Sequence, residues 1–239
     1  MLPPSLAKRF ASTRLLPETL PEDPFPTLLE WYDAAQKRKA QPNPNAMTIA
    51  TVDPDGTPSA RIVLCRGIDA QRGYIRFYTN YEGRKGIALE RHPTAALLFH
   101  WDDSDQQVRI EGPAIKAPAE ESDSYFAARP WESRLSAWAS DQSRPLTSHA
   151  HLIEQAEEAM ARLGITVQDV ETKGNAVHIP RPPHWGGFRI WARRVELWLG
   201  GPGRFHDRAR WTRTLTPGHS TEADNAFIAG PWLAQRLQP

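Results

Sequence analysis

Short runs of β-branched and apolar residues, separated by turn residues, dominate the pattern along this chain. No strand–helix–strand repeat links these runs. Asp-Pro-Asp-Gly at 53–56 joins two of them and predicts a β-hairpin. The predicted strands are AMTIATV, TPSARIVLC, YIRFYTN, TAALLFHW, QQVRIEGPAIKA, GFRIWARRVELWL and RARWTRTL. The pattern therefore predicts an α+β protein, a predominantly antiparallel β-barrel with peripheral helices, and not a Rossmann fold.

Helical periodicity is confined to a few stretches. The first runs from Pro26 to about Ala40, with the proline in the first turn, where it is well tolerated. Further helices are predicted at 84–91, 118–128, 132–140 and 148–163, and a loop at 171–184. Residues 1–24 are rich in proline and charge, and they predict a mobile N-terminal arm. Residues 25–239 are predicted to form a single domain, because barrels of this length commonly fold as one unit.

Composition narrows the classes of function. The 239 residues carry 29 basic and 28 acidic side chains, a balance that argues against a general nucleic-acid binder. The single cysteine, Cys65, excludes an intramolecular disulfide, and its apolar run predicts a core residue. His149 and His151 point to different faces of a predicted helix, so we expect no metal site there. Without an apolar leader or a run of membrane-spanning length, we expect a cytoplasmic protein that does not bind membranes.

Basic and hydroxyl side chains are concentrated between residues 61 and 85. RIVLCR, FYTN and EGRKG follow one another there, as two strand-like runs and the start of a predicted helix. Arg and Lys donate charge-assisted hydrogen bonds to phosphate, and a helix N-terminus adds its own N–H groups. Neither GxGxxG nor GxxxxGKS/T is present, so side chains would have to hold the phosphate. The sequence therefore predicts a phosphate monoester bound by Arg61, Arg66, Tyr78, Thr79, Arg84 and Lys85.

Ten motifs occur in the order found in a known family. They are NAMTIATVD, RIVL, FYTN, GRK, QVRIEG, YFAARPWES, AWASDQS, WGGFR, ELWLGG and RFHDR, and they extend from about Asp23 to the C-terminal RLQP. Any one of them alone would be weak, but ten in order are specific. Through them the chain resembles the pyridoxine (pyridoxamine) 5′-phosphate oxidase family, which comprises FMN-dependent flavoproteins with a split-barrel fold and a flavin site shared by two subunits.

The resemblance implies a role for each matching residue. The implied FMN contacts, partly from the second subunit of a homodimer, are Arg61, Ile62, Val63, Leu64, Tyr78, Thr79, Arg84, Lys85, Gln107, Gln142, Ser143, Trp198 and Arg208. The implied contacts to the substrate phosphate are Arg66, Tyr125, Arg129 and Ser133. Arg204 and His206 match the catalytic pair over the pyridine ring and its reacting 4′ carbon. The family usually has lysine where this chain has Arg66, which keeps the charge and can bind phosphate bidentately.

The implied reaction is the oxidation of pyridoxine 5′-phosphate or pyridoxamine 5′-phosphate to pyridoxal 5′-phosphate, with dioxygen as electron acceptor and hydrogen peroxide as product. The flavin carries the redox chemistry, and the protein supplies binding, orientation and electrostatics. Two alternatives stay open. One is a split-barrel flavin oxidase of the phenazine-biosynthesis type, against which the set Tyr125, Arg129 and Ser133 argues. The other is a protein that binds FMN or pyridoxal phosphate without turnover.

Overall fold

The computed structural model describes residues 14–218 and 226–239, together with Pro3, Arg9 and Ser12. The α-helices are α1 (Phe25–Arg38), α2 (Arg84–Arg91), α3 (Ala119–Ala127), α4 (Trp131–Ala139), α5 (His149–Leu163) and α6 (Val167–Lys173). The strands are β1 (Ala46–Val52), β2 (Pro58–Leu64), β3 (Gly67–Asp69), β4 (Tyr74–Asn80), β5 (Thr94–Trp101), β6 (Gln106–Lys116), β7 (Trp185–Trp191), β8 (Arg194–Leu199), β9 (Asp207–Thr212), β10 (Leu215–Pro217), β11 (Phe227–Ala229) and β12 (Leu233–Leu237).

A ten-stranded antiparallel sheet is the centre of the fold. Its path runs β12–β9–β8–β6–β5–β1–β2, and β7, β4 and β3 branch from β6. The first part of β6, Gln106–Glu111, pairs with β8, whereas Ala114–Lys116 pairs with β7. Between them lies Gly112, where a Cβ would be 1.8 Å from the Trp191 carbonyl oxygen. Glycine at this position therefore allows the close approach at which β6 changes partner and the barrel divides.

Two apolar clusters join the sheet to the helices. The larger cluster fills the barrel and includes the fully buried rings of Phe77, Phe99 and Trp211. The smaller cluster lies between α3, α4, α5 and β7, around Phe126 and Trp185. Burial of aromatic side chains contributes strongly to such cores. The smaller cluster fixes α3 and α4 against β7, the neighbour of β4, and so places both helices next to the 61–85 segment.

The predicted antiparallel barrel with peripheral helices is confirmed. The run GFRIWARRVELWL, expected as one element, divides into β7 and β8. Helix α6 begins before the predicted loop at 171–184 and occupies its first residues. A capping box starts this helix, since Thr166 accepts from the Asp169 N–H and Asp169 accepts from the Thr166 N–H. Among the described helices, none is long and apolar enough to cross a membrane.

The second half of the predicted N-terminal arm, residues 14–24, lies against the barrel. Leu16 is buried within the larger cluster, and its N–H donates to the Asp207 carboxylate at 2.7 Å. These contacts differ from the free arm expected from the sequence, because an apolar side chain here is covered by the sheet. Most of residues 1–13 fall outside the described residues, where a mobile arm stays a prediction.

Candidate functional site

A cavity of about 290 Å³ opens between β2, β4, the start of α2 and α3. The sequence predicts most of its lining as site residues: Ile62, Val63, Leu64, Arg66, Tyr78, Thr79, Lys85, Tyr125, Arg129 and Gln142. Asn80 and Trp185 also line the cavity. Neither is among the predicted site residues, although both lie in the motifs FYTN and WGGFR. The structure therefore brings together residues predicted to contact the cofactor and residues predicted to contact the substrate.

Lys85 is the principal cation on one side of this cavity. It is the second residue of α2, and its Nζ donates to Thr79 Oγ1 at 2.8 Å and to Gln142 Oε1 at 2.6 Å. Burial, together with the positive charge of Arg61, lowers the pKa of Lys85 to about 8. Both acceptors are uncharged, so no carboxylate among the described residues pairs with this ammonium group. An added anion would favour its charged form.

The N-terminus of α2 and Arg61 add to this positive potential. The first N–H groups of any α-helix lack intrahelical partners, and Gly83 at the N-cap position has no side chain that could accept from them. A Cβ on Gly83 would be 2.7 Å from Gln142 Oε1, so glycine allows that amide to approach. The Arg61 guanidinium donates to Thr51 Oγ1 at 2.7 Å and to Ser59 Oγ. Helix N–H groups with nearby cations are a common setting for a phosphate ester.

Three predicted residues, Arg84, Ser143 and Ser133, do not line this cavity. The Arg84 guanidinium is paired with Asp53, its Nε 2.8 Å from Oδ2, and it lines a neighbouring cavity together with Ser143. Gln142 lines both cavities and so joins them. Ser133 lies in the first turn of α4, outside the lining of either cavity.

Three stacked aromatic rings form one wall of the cavity. Tyr78 stacks on Tyr125 with ring centroids 4.0 Å apart, and on Trp185 at 5.5 Å. Gly187 lies opposite Tyr78 in the β4–β7 ladder, and a Cβ there would be 2.9 Å from the tyrosine ring. The second glycine of WGGFR thus lets this ring lie across the neighbouring strand. Burial raises the pKa of Tyr78 to about 12, so its phenol remains a hydrogen-bond donor, 3.4 Å from Glu121 Oε1.

A second group of cations flanks the stacked rings. The Arg129 guanidinium lies over Trp185, 4.6 Å from the ring centroid, and Arg66 lies 5.7 Å from the centroid of Tyr125. Arg129 Nη1 is buried and has no hydrogen-bond partner in the part of the chain that the structure describes. Burial also lowers the pKa of Arg129, because less water surrounds its charge. A buried guanidinium nitrogen without a partner points to an anionic ligand.

The remaining predicted residues form a separate group on β6, β8, β9 and the loop before β9: Gln107, Trp198, Arg204, His206 and Arg208. Gln107 is opposite Trp198 in the ladder, and Trp198 is opposite Arg208. The rings of Trp198 and His206 are 4.6 Å apart. His206 Nδ1 accepts from the Gly201 N–H at 3.2 Å, so the neutral ring carries its proton on Nε2.

The cavity and this separate group share one face of the sheet but lie far apart within a chain. Residues directly opposite in antiparallel ladders share a face, and the connecting pairs are Ile62–Thr48, Thr48–Leu98, Leu98–Arg109 and Arg109–Glu196. Gln107 and Trp198 are two residues from the last pair and share the face. From β2 to β8 there are four strand-to-strand steps, roughly 19 Å in total. One chain therefore does not bring both groups into one cavity.

Two family models match the chain and together span most of it. Residues 34–171 match the family described as pyridoxamine 5′-phosphate oxidase, and residues 185–239 match the pyridoxine 5′-phosphate oxidase C-terminal dimerisation region. A pyridoxine/pyridoxamine 5′-phosphate oxidase of Gloeothece citriformis is 48% identical over 235 residues, which cover 98% of this chain and 97% of the relative. A relative of the same name from Burkholderia cenocepacia is 47% identical over 217 residues, covering 91% and 89%.

Solved structures show the same fold. PhzG from Burkholderia lata 383, in complex with tetrahydrophenazine-1-carboxylic acid, has a TM-score of 0.75 and 29% identity, covering 95% of this chain and 98% of that chain. A pyridoxamine 5′-phosphate oxidase-related, FMN binding protein from Nostoc punctiforme has a TM-score of 0.61 over 90% of this chain and 97% of its own. Its 14% identity makes that a likeness of fold alone. Since both family models and relatives nearly half identical match across the chain, it belongs to the pyridoxamine 5′-phosphate oxidase family of FMN-binding oxidoreductases.

Proposed function

We propose that the protein oxidises pyridoxine 5′-phosphate or pyridoxamine 5′-phosphate to pyridoxal 5′-phosphate, with FMN as cofactor and dioxygen as electron acceptor, and releases hydrogen peroxide. With the amine substrate, water hydrolyses the resulting imine and ammonia is released as well. The observation that carries the proposal is the presence of two cationic groups in one cavity, Lys85 in one and Arg66 with Arg129 in the other. Two phosphate esters, one on the cofactor and one on the substrate, would satisfy both groups. The names of the relatives, at 48% and 47% identity, support the same reaction.

The residues on the Lys85 side fit the phosphate of FMN. Lys85, Thr79 and the first N–H groups of α2 would hold it, with Arg61 adding positive charge. Ile62, Val63 and Leu64 line the same cavity and would pack against the ring system, with Tyr78 and Gln142 supplying polar contacts. FMN, when bound, supplies the electron acceptor for the substrate and the electron donor for dioxygen.

The residues on the opposite side fit the 5′-phosphate of the substrate. Arg129 would satisfy its buried Nη1 there, and Arg66 would add a guanidinium fork suited to phosphate. The Tyr125 hydroxyl would donate a hydrogen bond to a phosphate oxygen, and Ser133 is the proposed fourth contact from the first turn of α4. Holding the phosphate fixes the position of the reacting carbon, which lowers the entropic part of the activation free energy of the reaction.

We propose that a second subunit completes the site, so that the active form is a homodimer. Gln107, Trp198, Arg208 and the pair Arg204 and His206 would reach the cavity of the partner, because within one chain their strands lie three to five steps from β2, roughly 14–24 Å along the sheet. Ile62 is 63% exposed on the shared face, and the C-terminal segment matches a dimerisation region. The Nε2–H of His206 would orient the group on the 4′ carbon, and the hydrogen-bond donors of the Arg204 guanidinium would hold the substrate ring in place.

A different substrate is the second candidate, because PhzG shares 29% identity across nearly the whole chain. Oxygen uptake with three compounds separates the candidates: pyridoxine 5′-phosphate, unphosphorylated pyridoxine and tetrahydrophenazine-1-carboxylic acid. We expect kcat/KM for pyridoxine 5′-phosphate to be at least about a hundredfold higher than for unphosphorylated pyridoxine, which offers no anion to the buried guanidinium, and to exceed the value for the phenazine acid. Faster oxidation of the phenazine acid would favour the second candidate. FMN binding without oxidation of any of them would indicate a binding protein.

The affinity for FMN should fall as the pH rises through about 8. Lys85 in the free protein has a pKa of about 8, and a bound phosphate dianion raises it. Above that pH the free protein has lost the proton that the complex holds, so binding must take up a proton and weakens. Quenching of FMN fluorescence, titrated from about pH 6.5 to pH 9.5, measures this. Lys85→Arg, which stays charged throughout, should flatten the profile, and a flat wild-type profile would contradict the assignment.

Mixed dimers should regain activity that neither parent has. One parent carries Arg129→Ala with Lys85→Ala, and the other carries His206→Ala with Arg204→Ala. If each site takes its groups from two chains, one of the two sites in a mixed dimer is intact, and kcat should reach about half of the wild-type value. Two affinity tags isolate the mixed species for assay. Inactive mixed dimers, or a wild-type monomer that binds FMN tightly, would contradict the shared site.

A further inference from the structure

The loop that carries Arg204 and His206 is a tight turn with unusual backbone angles. Gly203 and Arg204 are both left-handed, with φ of 62° and 67°. The Phe205 N–H donates to the Pro202 carbonyl at 3.1 Å and closes the turn. A left-handed arginine is strained, and such strain persists only where surrounding groups hold the backbone. The contacts at the end of the loop therefore determine whether it keeps this shape.

Asp207, the residue after His206, anchors the end of the loop. Its side chain is 10% exposed, and both carboxylate oxygens accept hydrogen bonds. Oδ2 accepts from the Leu16 N–H at 2.7 Å, and Oδ1 accepts from Arg236 Nη1. One donor precedes α1 and the other lies on β12, so the segment before α1 and the last strand meet at this carboxylate.

Arg236 also binds the N-terminal segment directly. Its Nη2 donates to the Pro17 carbonyl at 2.8 Å and to the Leu16 carbonyl at 3.3 Å. A guanidinium has a planar set of donors that reaches the carboxylate and both carbonyls together, which a single ammonium group does less well. Asp207, Arg236 and Leu16–Pro17 therefore form one clamp at the base of the loop, and this set is called the Asp207 clamp.

The loop is held from its other side by contacts of His206 itself. Its ring lies against Trp198, and its Nδ1 accepts from the Gly201 N–H. A Cβ on Gly201 would be 2.0 Å from the Phe205 carbonyl oxygen, so the turn closes only over glycine. The imidazole thus lies between a strand of the sheet and the Asp207 clamp. Loss of the clamp would release the backbone that directly follows His206.

We propose that Asp207 and Arg236 are positioning residues that hold Arg204 and His206 in the geometry the substrate requires, with Leu16–Pro17 as part of the same clamp. The inference rests on the proposed function, in which Arg204 and His206 face the reacting carbon. Asp207 and Arg236 touch neither substrate nor cofactor in this account. They act through the loop, so their loss should change turnover more than binding of the phosphate.

The test compares the isosteric Asp207→Asn with Arg236→Ala and Arg236→Lys. Arg38→Ala is the matched control, because the Arg38 side chain is also 36% exposed and also pairs with a carboxylate, Asp103, at 2.7 Å. Asp207→Asn and Arg236→Ala should lower kcat about tenfold to a hundredfold. FMN content should stay unchanged and KM for pyridoxine 5′-phosphate should stay within about threefold. Arg236→Lys should recover part of kcat, and Arg38→Ala should keep kcat within about twofold.

Thermal unfolding of the same variants separates positioning from simple stability. If Asp207→Asn and Arg38→Ala lower Tm similarly while both keep the wild-type kcat, the ion pair only stabilises the fold and the proposal is overturned. Should Arg236→Ala fail to fold, Asp207→Asn carries the test, because it keeps the size of the side chain and one acceptor oxygen.

The NMR chemical shift of the His206 ring reports the conformation of the loop without requiring turnover. In histidine-labelled protein, the ring signal of His206, assigned with His206→Gln, should shift in Asp207→Asn and stay in place in Arg38→Ala. An unmoved signal together with unchanged kcat overturns the clamp. If wild-type protein binds FMN but does not oxidise pyridoxine 5′-phosphate, while the His206 signal still responds, the proposed function fails and the clamp stands.

Discussion

Replacing Lys85 with alanine should weaken FMN binding roughly tenfold to a hundredfold and leave the fold intact. The Lys85 ammonium group is half-buried, close to Arg61, and hydrogen-bonded only to uncharged oxygens among the described residues. It therefore carries a positive charge that the protein itself does not neutralise. A charge-assisted hydrogen bond to phosphate contributes about 1.5–3 kcal/mol, which corresponds to that loss of affinity. FMN fluorescence titration measures Kd, and circular dichroism reports the fold.

Two comparison variants sharpen this prediction. Arg84→Ala should weaken FMN binding less than Lys85→Ala, because Arg84 is 57% exposed and already paired with Asp53. Lys116→Ala is the control for loss of a lysine, since that side chain is 51% exposed, with its Nζ 3.8 Å from Glu90. It should bind FMN as the wild type does. Equal Kd values for Lys85→Ala and Lys116→Ala would show that the phosphate binds elsewhere.

Replacing Arg129 with alanine should raise the KM for pyridoxine 5′-phosphate by roughly tenfold to a hundredfold, with FMN still bound. Arg129 Nη1 is buried without a partner in the described part of the chain, and the guanidinium is held over Trp185. The Arg129 guanidinium is thus pre-organised to bind an anion. Its replacement by alanine removes both the positive charge and the pre-organised hydrogen-bond donors. Arg66→Ala should also raise KM, and Arg66→Lys should restore most of it.

Unphosphorylated pyridoxine provides the control for the role of Arg129 in phosphate binding. Oxidation of unphosphorylated pyridoxine should be slow in the wild type and should change little in Arg129→Ala, because the lost partner is absent from that compound. His206→Ala and Arg204→Ala should instead lower kcat, since these residues face the reacting carbon. If Arg129→Ala changed KM equally for both compounds, Arg129 would contribute to the shape of the pocket and not to phosphate binding.

The local parts of the fold follow closely from the sequence. Helix α2 spans the predicted 84–91, since Gly83 precedes it and Pro93 follows it. The β-hairpin around Asp-Pro-Asp-Gly and the strand YIRFYTN also agree, because alternation and turn residues act over a few positions. Helix α6 is not among the predicted helices, although the sequence contains its capping box, Thr166 with Asp169.

The site is less accessible to sequence reasoning, because its contacts join distant segments. The pattern of basic and hydroxyl residues at 61–85 predicts one part of the cavity, whereas Tyr125, Arg129 and Gln142 follow only from the family motifs. Periodicity alone does not place β2 beside α3. The pairing of Arg84 with Asp53 carries no local signal, nor does the ion pair that Glu121 makes with Arg76 at 2.8 Å beneath Tyr78. The separation between the cavity and the loop that carries His206 depends on the order of the strands in the sheet, which no local pattern gives.

Anaerobic reduction of the bound flavin tests the central claim most directly. Purified protein saturated with FMN is mixed with pyridoxine 5′-phosphate in the absence of oxygen, and the visible flavin absorbance is followed. The account predicts that the yellow colour bleaches, that one pyridoxal 5′-phosphate forms for each flavin reduced, and that admitting oxygen restores the colour. Flavin that stays oxidised with both pyridoxine 5′-phosphate and pyridoxamine 5′-phosphate would contradict it.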